Sequence, residues 1–472
     1  MMFWPSLPCL CVACITYMVI VSVFMNLTMK AAATSPSACI GEANSRSRPW
    51  ISSDEHQDFI YNSRTIHFMR KTILNRFAVF LLVLPTGALT ACGNSGTPPT
   101  TTIAAVGTTS DTPAVHKSPA VSAGTSYSCA LLSSGGVKCW GKNVHGALGD
   151  DTTDDRSTPT DVLGVTEVTA ISSGAAHTCA VLSAGSVKCW GWNEFGQLGD
   201  GTRENRLKPV EVPGLAGVVA ISNGWNHTCA LLSTGGVKCW GSIGVDDLTG
   251  SGTTEDSLKP TDVPGLADVI AVSSGAAHTC AVLSSGRVKC WGENSSGELG
   301  DGTTEDSFKP TDAGGLTDVI AVSANGSHTC ALLSSGDVKC WGSNGSGELG
   351  DGTIDDRLNP TDVVGLTGVL AISSGSGGSN TCAVLASGNV KCWGFNAGGQ
   401  IGDGTTDDRL TPTDVSGLTG VVAIATGWSH ACAALSSGAV KCWGANVFGQ
   451  LGDGTTEWGL TSVDVVELNL LS

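Results

Sequence analysis

Lysine and arginine are scarce in this sequence. They account for 25 of its 472 residues, against 42 aspartates and glutamates, and the formal net charge is −17. From residue 118 onward the contrast is sharper, with 17 basic against 37 acidic residues. A surface that binds nucleic acid needs clustered lysines and arginines to displace the counterions of the phosphates, whereas the lysines here stand singly. We therefore expect no binding to DNA or RNA.

The sequence also lacks the usual signatures of a catalytic centre. It has no nucleophile elbow, no phosphate-binding glycine loop and no pair of carboxylates that stands apart from its repeats. Serine, aspartate and histidine are abundant, but they recur in register, whereas a catalytic set requires one converging geometry. We therefore expect no enzyme activity, no cofactor and no bound metal.

What the sequence has instead is a repeat. Cys-Trp-Gly recurs seven times, at spacings of 50, 50, 51, 50, 52 and 50 residues. In one copy, short apolar runs at 218–222, 228–232 and 237–240 are separated by glycine-containing turns, and a Pro-Thr-Asp-Val run follows. Four short strands per repeat are typical of a propeller blade. Residues 118–472 therefore predict an all-β fold, a seven-bladed β-propeller with four-stranded blades.

The two ends of the repeat region indicate how the ring closes. The first repeat begins near Pro119 without a Pro-Thr-Asp-Val run before it, and the last repeat ends with Thr-Ser-Val-Asp at 461–464. We expect the carboxyl-terminal strand to complete the blade that begins near Pro119. This exchange would close the ring and remove an exposed sheet edge.

Fourteen of the 19 cysteines form seven regularly spaced pairs. A turn centred on Ser134 places Cys129 and Cys139 opposite each other on antiparallel strands, at a Cα separation that a disulfide accepts. The predicted bridges are Cys129–Cys139, Cys179–Cys189, Cys229–Cys239, Cys280–Cys290, Cys330–Cys340, Cys382–Cys392 and Cys432–Cys442. Because disulfides persist in oxidising compartments, the pattern predicts an exported protein. Zinc binding is the weaker alternative, since zinc-ligating cysteines usually stand about two to four residues apart.

The region before the repeats carries export signals. Residues 69–91 combine a basic opening, a short apolar core and Leu-Thr-Ala before Cys92, which looks like a bacterial lipoprotein signal with Cys92 as the lipidated residue. Residues 92–117 are rich in Thr, Pro, Ser and Gly and predict a flexible tether. Residues 1–68 have two interpretations. Either translation starts at Met69 and these residues are an upstream extension that the protein does not contain, or they form a signal anchor. We expect a monomer that is held in the cell envelope through the lipid on Cys92.

Three motifs of the repeat carry a resemblance to a known family. Gly-x-x-His-Thr-x-Ala-Leu, Gly-x-Val-x-x-Trp-Gly-x-Asn and Gly-Gln-Leu-Gly resemble the regulator of chromosome condensation repeat, and the resemblance covers residues 118–472. It implies a seven-bladed propeller. It says less about function, because propellers of this family serve as exchange factors, inhibitors and scaffolds.

Two recurrent polar features have structural explanations. Five histidines share one blade position, where we expect them to bond the backbone or a neighbouring blade; Tyr127 and Asn380 are the departures from the pattern. The five are His177, His227, His278, His328 and His430. Acidic loops such as 301–306 and 403–408 predict solvated turns, and calcium binding is the weaker alternative.

Departures from the repeat are better candidates for function. The third repeat has a different loop at 241–252, and the sixth has two extra residues around Gly377 and Gly378. Seven loop aromatics are unevenly distributed: Trp192, Phe195, Trp225, Phe395, Trp428, Phe448 and Trp458. In a closed ring they could share one sector, and large rigid aromatics dominate protein interfaces. The alternatives are that they cap blade ends, or that turn and loop residues lie on opposite faces.

These observations favour an exported, lipid-anchored platform for protein–protein interaction, with inhibition of an unknown protein partner as one form of that role. Guanine nucleotide exchange on a small GTPase is the alternative that the family resemblance implies. It requires a cytoplasmic or nuclear location, which the signal and the cysteines contradict. A glycan-active or purely structural envelope protein is a further alternative.

Overall fold

The computed structural model describes residues 121–242, 256–375 and 377–472. The chain divides into two units, residues 1–108 and 109–472, and all described residues lie in the second. The predicted signal (69–91), Cys92, the tether (92–117) and most of the third-repeat loop (241–252) lie outside the described residues. The described part contains no helix, and hence none that is long and apolar enough to cross a membrane.

Seven antiparallel four-stranded sheets form the blades of an all-β propeller, as the repeat predicts. Each blade uses four consecutive strands, which we call its first to fourth strand. Blades one to four contain β1 (Val121–Ala123), β2 (Tyr127–Leu131), β3 (Val137–Gly141), β4 (Arg156–Asp161); β5 (Val168–Ser173), β6 (His177–Leu182), β7 (Val187–Gly191), β8 (Arg206–Glu211); β9 (Val218–Asn223), β10 (His227–Leu232), β11 (Val237–Gly241), β12 (Ser257–Asp262); and β13 (Val269–Ser274), β14 (His278–Leu283), β15 (Val288–Gly292), β16 (Ser307–Asp312). Blades five to seven contain β17 (Val319–Ala324), β18 (His328–Leu333), β19 (Val338–Gly342), β20 (Arg357–Asp362); β21 (Val369–Ser374), β22 (Asn380–Leu385), β23 (Val390–Gly394), β24 (Arg409–Asp414); and β25 (Val421–Thr426), β26 (His430–Leu435), β27 (Val440–Gly444), β28 (Gly459–Asp464).

The Val-Lys-Cys-Trp-Gly third strand lies at the centre of each blade's packing. Its tryptophan is fully buried in all seven blades, which places a large apolar surface between neighbouring sheets. The buried indole N–H is satisfied by the preceding blade: Trp190 Nε1 donates to the carbonyl of Ala147 at 2.8 Å, and Trp240 Nε1 to that of Gln197 at 2.9 Å. Trp140, Trp341, Trp393 and Trp443 make the equivalent bond, so these six tryptophans join two blades by packing and by a hydrogen bond.

The recurrent histidines also join neighbouring blades. His177 Nε2 lies 2.9 Å from Thr228 Oγ1, and His278 Nε2 lies 2.8 Å from Thr329 Oγ1, each in the next blade. The last of these contacts closes the ring, because His430 Nε2 lies 2.9 Å from Ser128 Oγ of the first blade. The structural role expected for the histidines is confirmed by these contacts.

The seven predicted disulfides are all present. Cys129 pairs directly with Cys139 across β2 and β3, with Cα atoms 4.1 Å apart, and the other six bridges have the same register. The sulfur atoms are fully buried between sheets. Lysines in the same strands reach the rim of the propeller, where Lys138 Nζ lies 2.7 Å from Asp161 Oδ1. Exposed ion pairs of this kind contribute little to stability.

Ring closure differs in detail from the sequence prediction. The last strand, β28, pairs with β27 and completes the seventh blade, so the expected strand exchange with the first blade is wrong. The residues after β28 add to the junction that His430 makes: Leu470 donates its N–H to the carbonyl of Gly438, and its own carbonyl accepts from Ser133 of the first blade at 2.7 Å. The reason is that both the first and the seventh blade take all four of their strands from consecutive segments of the chain, so neither blade lacks a strand that the other could supply.

Candidate protein-interaction face

The strand order gives the propeller two different faces. The turn from first to second strand and the long loop from third to fourth strand open on one face, which we call the loop face. The turn from second to third strand and the connection to the next blade open on the other, the hairpin face. All seven candidate aromatics belong to the first set of segments. They therefore lie on one face, and the alternative that opposite faces divide them is wrong.

Trp192 and Phe195 form the centre of one aromatic cluster. Their ring centroids are 5.4 Å apart in an edge-to-face arrangement. His145 of the first blade stacks on Trp192 at 5.7 Å, so the cluster spans two blades. All three side chains are half-buried, which is the state of an anchor that is held in place yet can still be reached by a partner.

Trp225 and Trp428 form a second cluster. Their ring centroids are 5.6 Å apart although they belong to the third and seventh blades. These blades are not neighbours in a ring of seven, so the contact must cross the central axis at the loop face. Trp428 remains 41% exposed.

The two-residue insertion of the sixth repeat meets this second cluster. Gly377 has a φ of +85°, and a Cβ there would lie 1.9 Å from Trp225 Nε1. Only glycine combines that backbone conformation with so close an approach. The insertion therefore extends the turn of the sixth blade to the tryptophan of the third.

The remaining three aromatics are less connected. Lys142 Nζ lies 4.7 Å from the centroid of the Phe448 ring, a cation–π contact between the first and seventh blades. Burial lowers the pKa of Lys142, and the charge of Asp155 opposes that shift. Phe395 is half-buried and Trp458 is 51% exposed; within the described ranges, neither ring contacts another aromatic ring.

Sequence reasoning missed Lys142 and His145. Their loop, 142–145, is equivalent to 192–195 of the second blade, where the aromatics stand. A search restricted to Trp and Phe passes over them. Aligning the loop positions of all repeats, whatever the residue type, would have identified both.

The acidic loops form a frame that supports these side chains. Asn143 Nδ2 donates to Asp150 Oδ1 at 3.0 Å, and Arg156 Nε donates to Asp150 Oδ2 at 2.9 Å. Burial would raise the pKa of Asp150, but the hydrogen bonds from Thr152, Arg156 and Asn143 together lower it below its usual value. No group of three or more His, Cys, Asp or Glu side chains is placed to hold a metal ion in the part of the chain that the structure describes.

Two blades carry a buried glutamate where others carry glutamine. Glu298 and Glu348 occupy the Gly-Glu-Leu-Gly loops of the fourth and fifth blades and are 2% and 5% exposed. Each accepts one backbone N–H at 2.8 Å, from Ser296 and Ser346. Burial raises the pKa of Glu298 to about 8 and that of Glu348 to about 7.

Glu298→Gln should stabilise the propeller at neutral pH. A carboxyl whose folded-state pKa is raised favours the folded protein at low pH, and this contribution is lost as the pH rises from about 4.5 toward the folded-state value. We expect the variant to gain about 1 to 3 kcal/mol of unfolding free energy at pH 7.5 and nothing at pH 4.5. Denaturant unfolding at the two pH values measures this, and Gln400→Glu, at the equivalent loop position, should show the reverse. A gain that is equal at both pH values would contradict the assignment.

Sequence profiles and solved structures identify what this chain resembles. The profile described as "RCC1-like domain" matches residues 77–330. Profiles described as "Regulator of chromosome condensation (RCC1) repeat" match 319–348 and 421–450, and 335–385 and 387–434. No curated protein sequence matches the chain as a relative.

Three solved structures share the fold. Yeast RCC1 (Prp20), in its crystal structure with Kap60, has a TM-score of 0.65 and 20% identity, covering 78% of this chain and 91% of that one. Human WBSCR16 has a TM-score of 0.63 and 22% identity, covering 70% and 94%. Prp20p from Saccharomyces cerevisiae, in a study of its binding to Gsp1p and histones, has a TM-score of 0.61 and 19% identity, covering 72% and 86%. At these identities the likeness shows the fold alone.

Proposed function

Since the chain belongs to the RCC1-like family, we propose that it is a protein-interaction propeller whose loop face binds the partner. The two aromatic clusters are the observation that carries this proposal. Trp192, Phe195, Trp225 and Trp428 are held in ring-to-ring contact on one face, and partly exposed aromatics of this kind are the usual anchors of interfaces. Yeast RCC1 (Prp20) has been crystallised with a protein partner, Kap60.

The course of the chain supports the choice of face. β1 runs toward the loop face, so the chain enters the first blade from the hairpin face. The other end lies on the hairpin face as well, where the carbonyl of Ser472 accepts a hydrogen bond from Ser133 Oγ at 3.2 Å. Val121 and Ser472, the first and last described residues, thus both lie toward the hairpin face.

We propose further that the protein is exported and held at a membrane through a lipid on Cys92. Seven buried disulfides favour an oxidising compartment, and the signal-like sequence before Cys92 favours the same destination. Nucleotide exchange on a GTPase remains the second candidate because of the family. It is less favoured, since cytosolic thiols are kept reduced.

Removing the anchors should abolish capture of the partner. We expect Trp192→Ala, Phe195→Ala and Phe448→Ala together to weaken binding by at least 100-fold, because one such anchor commonly contributes about 2 kcal/mol, or roughly 30-fold in affinity. Quantitative pull-down from the native envelope, followed by mass spectrometry, measures the loss.

A control triple removes exposed apolar side chains from the hairpin face: Leu163→Ala, Val364→Ala and Leu471→Ala, whose residues are 42%, 44% and 64% exposed. It should capture the partner as wild type does. Equal capture by both triples would rule out the loop face as the binding surface.

A further inference from the structure

The seventh blade differs from the other six at its outer edge. Each of the other fourth strands carries a proline and at least one lysine or arginine, the two features that most often protect a sheet edge from pairing. The prolines are Pro159, Pro209, Pro260, Pro310, Pro360 and Pro412. The seventh, β28, reads Gly-Leu-Thr-Ser-Val-Asp and has Ser462 at the proline position and no basic residue.

The proline position faces outward. Cys139 and Cys129 of β2 form a non-hydrogen-bonded antiparallel pair, with Cα atoms 4.1 Å apart. The backbone N–H and carbonyl of Cys139 therefore point away from β2 and toward β4. Its partner there is Thr160. The pairing of β3 with β4 shifts register directly beyond Thr160. The carbonyl of Pro159, in the same peptide unit as the Thr160 N–H, points away from the blade, and proline has no N–H to contribute to the ladder at this shift. At the equivalent place in β28 the carbonyl of Ser462 points outward, and Ser462 has an N–H where the other six blades have none.

The residues around this edge favour pairing. Trp458, immediately before β28, is 51% exposed. The single charge of the strand, on Asp464, is held by Lys441 at 2.6 Å. The carbonyl of Leu460 already accepts the N–H of Gly404 from the sixth blade at 2.9 Å. The edge thus offers the backbone groups of Ser462 and Asp464, beside an apolar side chain and without an unpaired charge.

We propose that β28 pairs antiparallel with β28 of a second copy of this chain, about a twofold axis at Ser462. One residue supplies both the outward N–H and the outward carbonyl, so the strand is complementary to itself, as a twofold interface requires. In that register Leu460 lies opposite Asp464 of the other copy. Closure about the axis leaves no free edge on β28, and the product is a dimer. This departs from the monomer expected from sequence, and it does not rest on the role proposed for the loop face.

Ser462→Pro restores the residue of the other six blades and should dissociate the dimer without unfolding the propeller. We expect the full chain in detergent to be dimeric by light scattering, and the variant to need at least about ten times the concentration to dimerise. Thermal melting confirms that the variant is folded. A wild-type chain that is monomeric throughout the micromolar range, or a variant that dimerises as well as wild type, would overturn the proposal.

A cysteine pair gives a second readout in the membrane. Residues facing each other in a hydrogen-bonded antiparallel pair have Cα atoms about 5.5 Å apart, within the range of a disulfide. Ser462→Cys should therefore give a covalent dimer on a non-reducing gel. Pro310→Cys, at the equivalent position of the fourth blade, should not, although both variants retain the five cysteines outside the repeats. Equal dimer yields from the two variants would contradict pairing at β28.

Discussion

Acidification from pH 6.5 to pH 4 should destabilise the propeller by an amount on the order of 10 kcal/mol. Burial lowers the pKa of His177, His278 and His328 to about 3 and that of His227 and His430 to about 4. A histidine with a lowered folded-state pKa stabilises the protein above its unfolded value of about 6.5, and this contribution is lost as the pH falls toward the folded value. Each of the five costs about 2 to 3 kcal/mol near pH 4.5.

The two buried glutamates act in the opposite direction over the same range. Their raised pKa values make the folded state more stable as the pH falls from about 8 to 4.5. The acid destabilisation should therefore be steeper in the Glu298→Gln, Glu348→Gln double variant than in wild type. Denaturant unfolding at half-unit pH steps measures both slopes.

His328→Asn provides the matched control, because the sixth blade carries Asn380 at the same position. This variant should bind one proton fewer on unfolding. Because the two glutamates offset two of the five histidines, the net uptake is about three protons, and the acid slope should become flatter by about a third. An unfolding free energy that stays constant between pH 6.5 and 4, or a slope unchanged by His328→Asn, would show that the buried histidines are not the cause.

Loss of the disulfides should have a second large effect. Closing a loop of about ten residues contributes roughly 2.5 to 3 kcal/mol in the chain-entropy model, and seven loops are closed. The double variant Cys229→Ala, Cys239→Ala should therefore lose about 3 kcal/mol under oxidising conditions. Under reducing conditions the whole propeller should unfold at much lower denaturant concentration.

Comparison of oxidising with reducing conditions separates the loss of a disulfide bridge from the loss of the packing of the cysteine side chains. The double variant should lose less on reduction than wild type does, because one of its bridges is already absent. Alkylation of the native protein should leave the fourteen repeat cysteines unmodified until denaturant and reductant are both added. Fourteen thiols that react in the native protein would contradict the bridges.

The repeat made most of the fold predictable. Local spacing was sufficient for the strands and for the Cys129–Cys139 register, because each hairpin is specified by residues that are close in sequence. Ring closure by Leu470 was not predictable in this way. Leu470 is a tail residue that bonds both the seventh and the first blade, and no repeat pattern reports such a contact.

The candidate face was predictable only in its residue types. The seven aromatics were visible as departures from the repeat, but the contact of Trp225 with Trp428 depends on blades that meet across the axis. The approach of Gly377 to Trp225 likewise requires the assembled ring. The burial of Glu298 and Glu348 could not be predicted from the sequence. Glutamate is usually exposed, and the repeats that have glutamine at this position do not show that the side chain is buried.

Photo-cross-linking in the intact cell tests the interaction face most directly. A benzoylphenylalanine at Trp192 or at Trp428 should give a covalent adduct of one defined mass with the partner protein, because both positions lie on the loop face. The same probe at Leu163, an exposed position on the hairpin face, should give none. Adducts from Leu163 with none from Trp192 and Trp428 would contradict a partner-binding loop face.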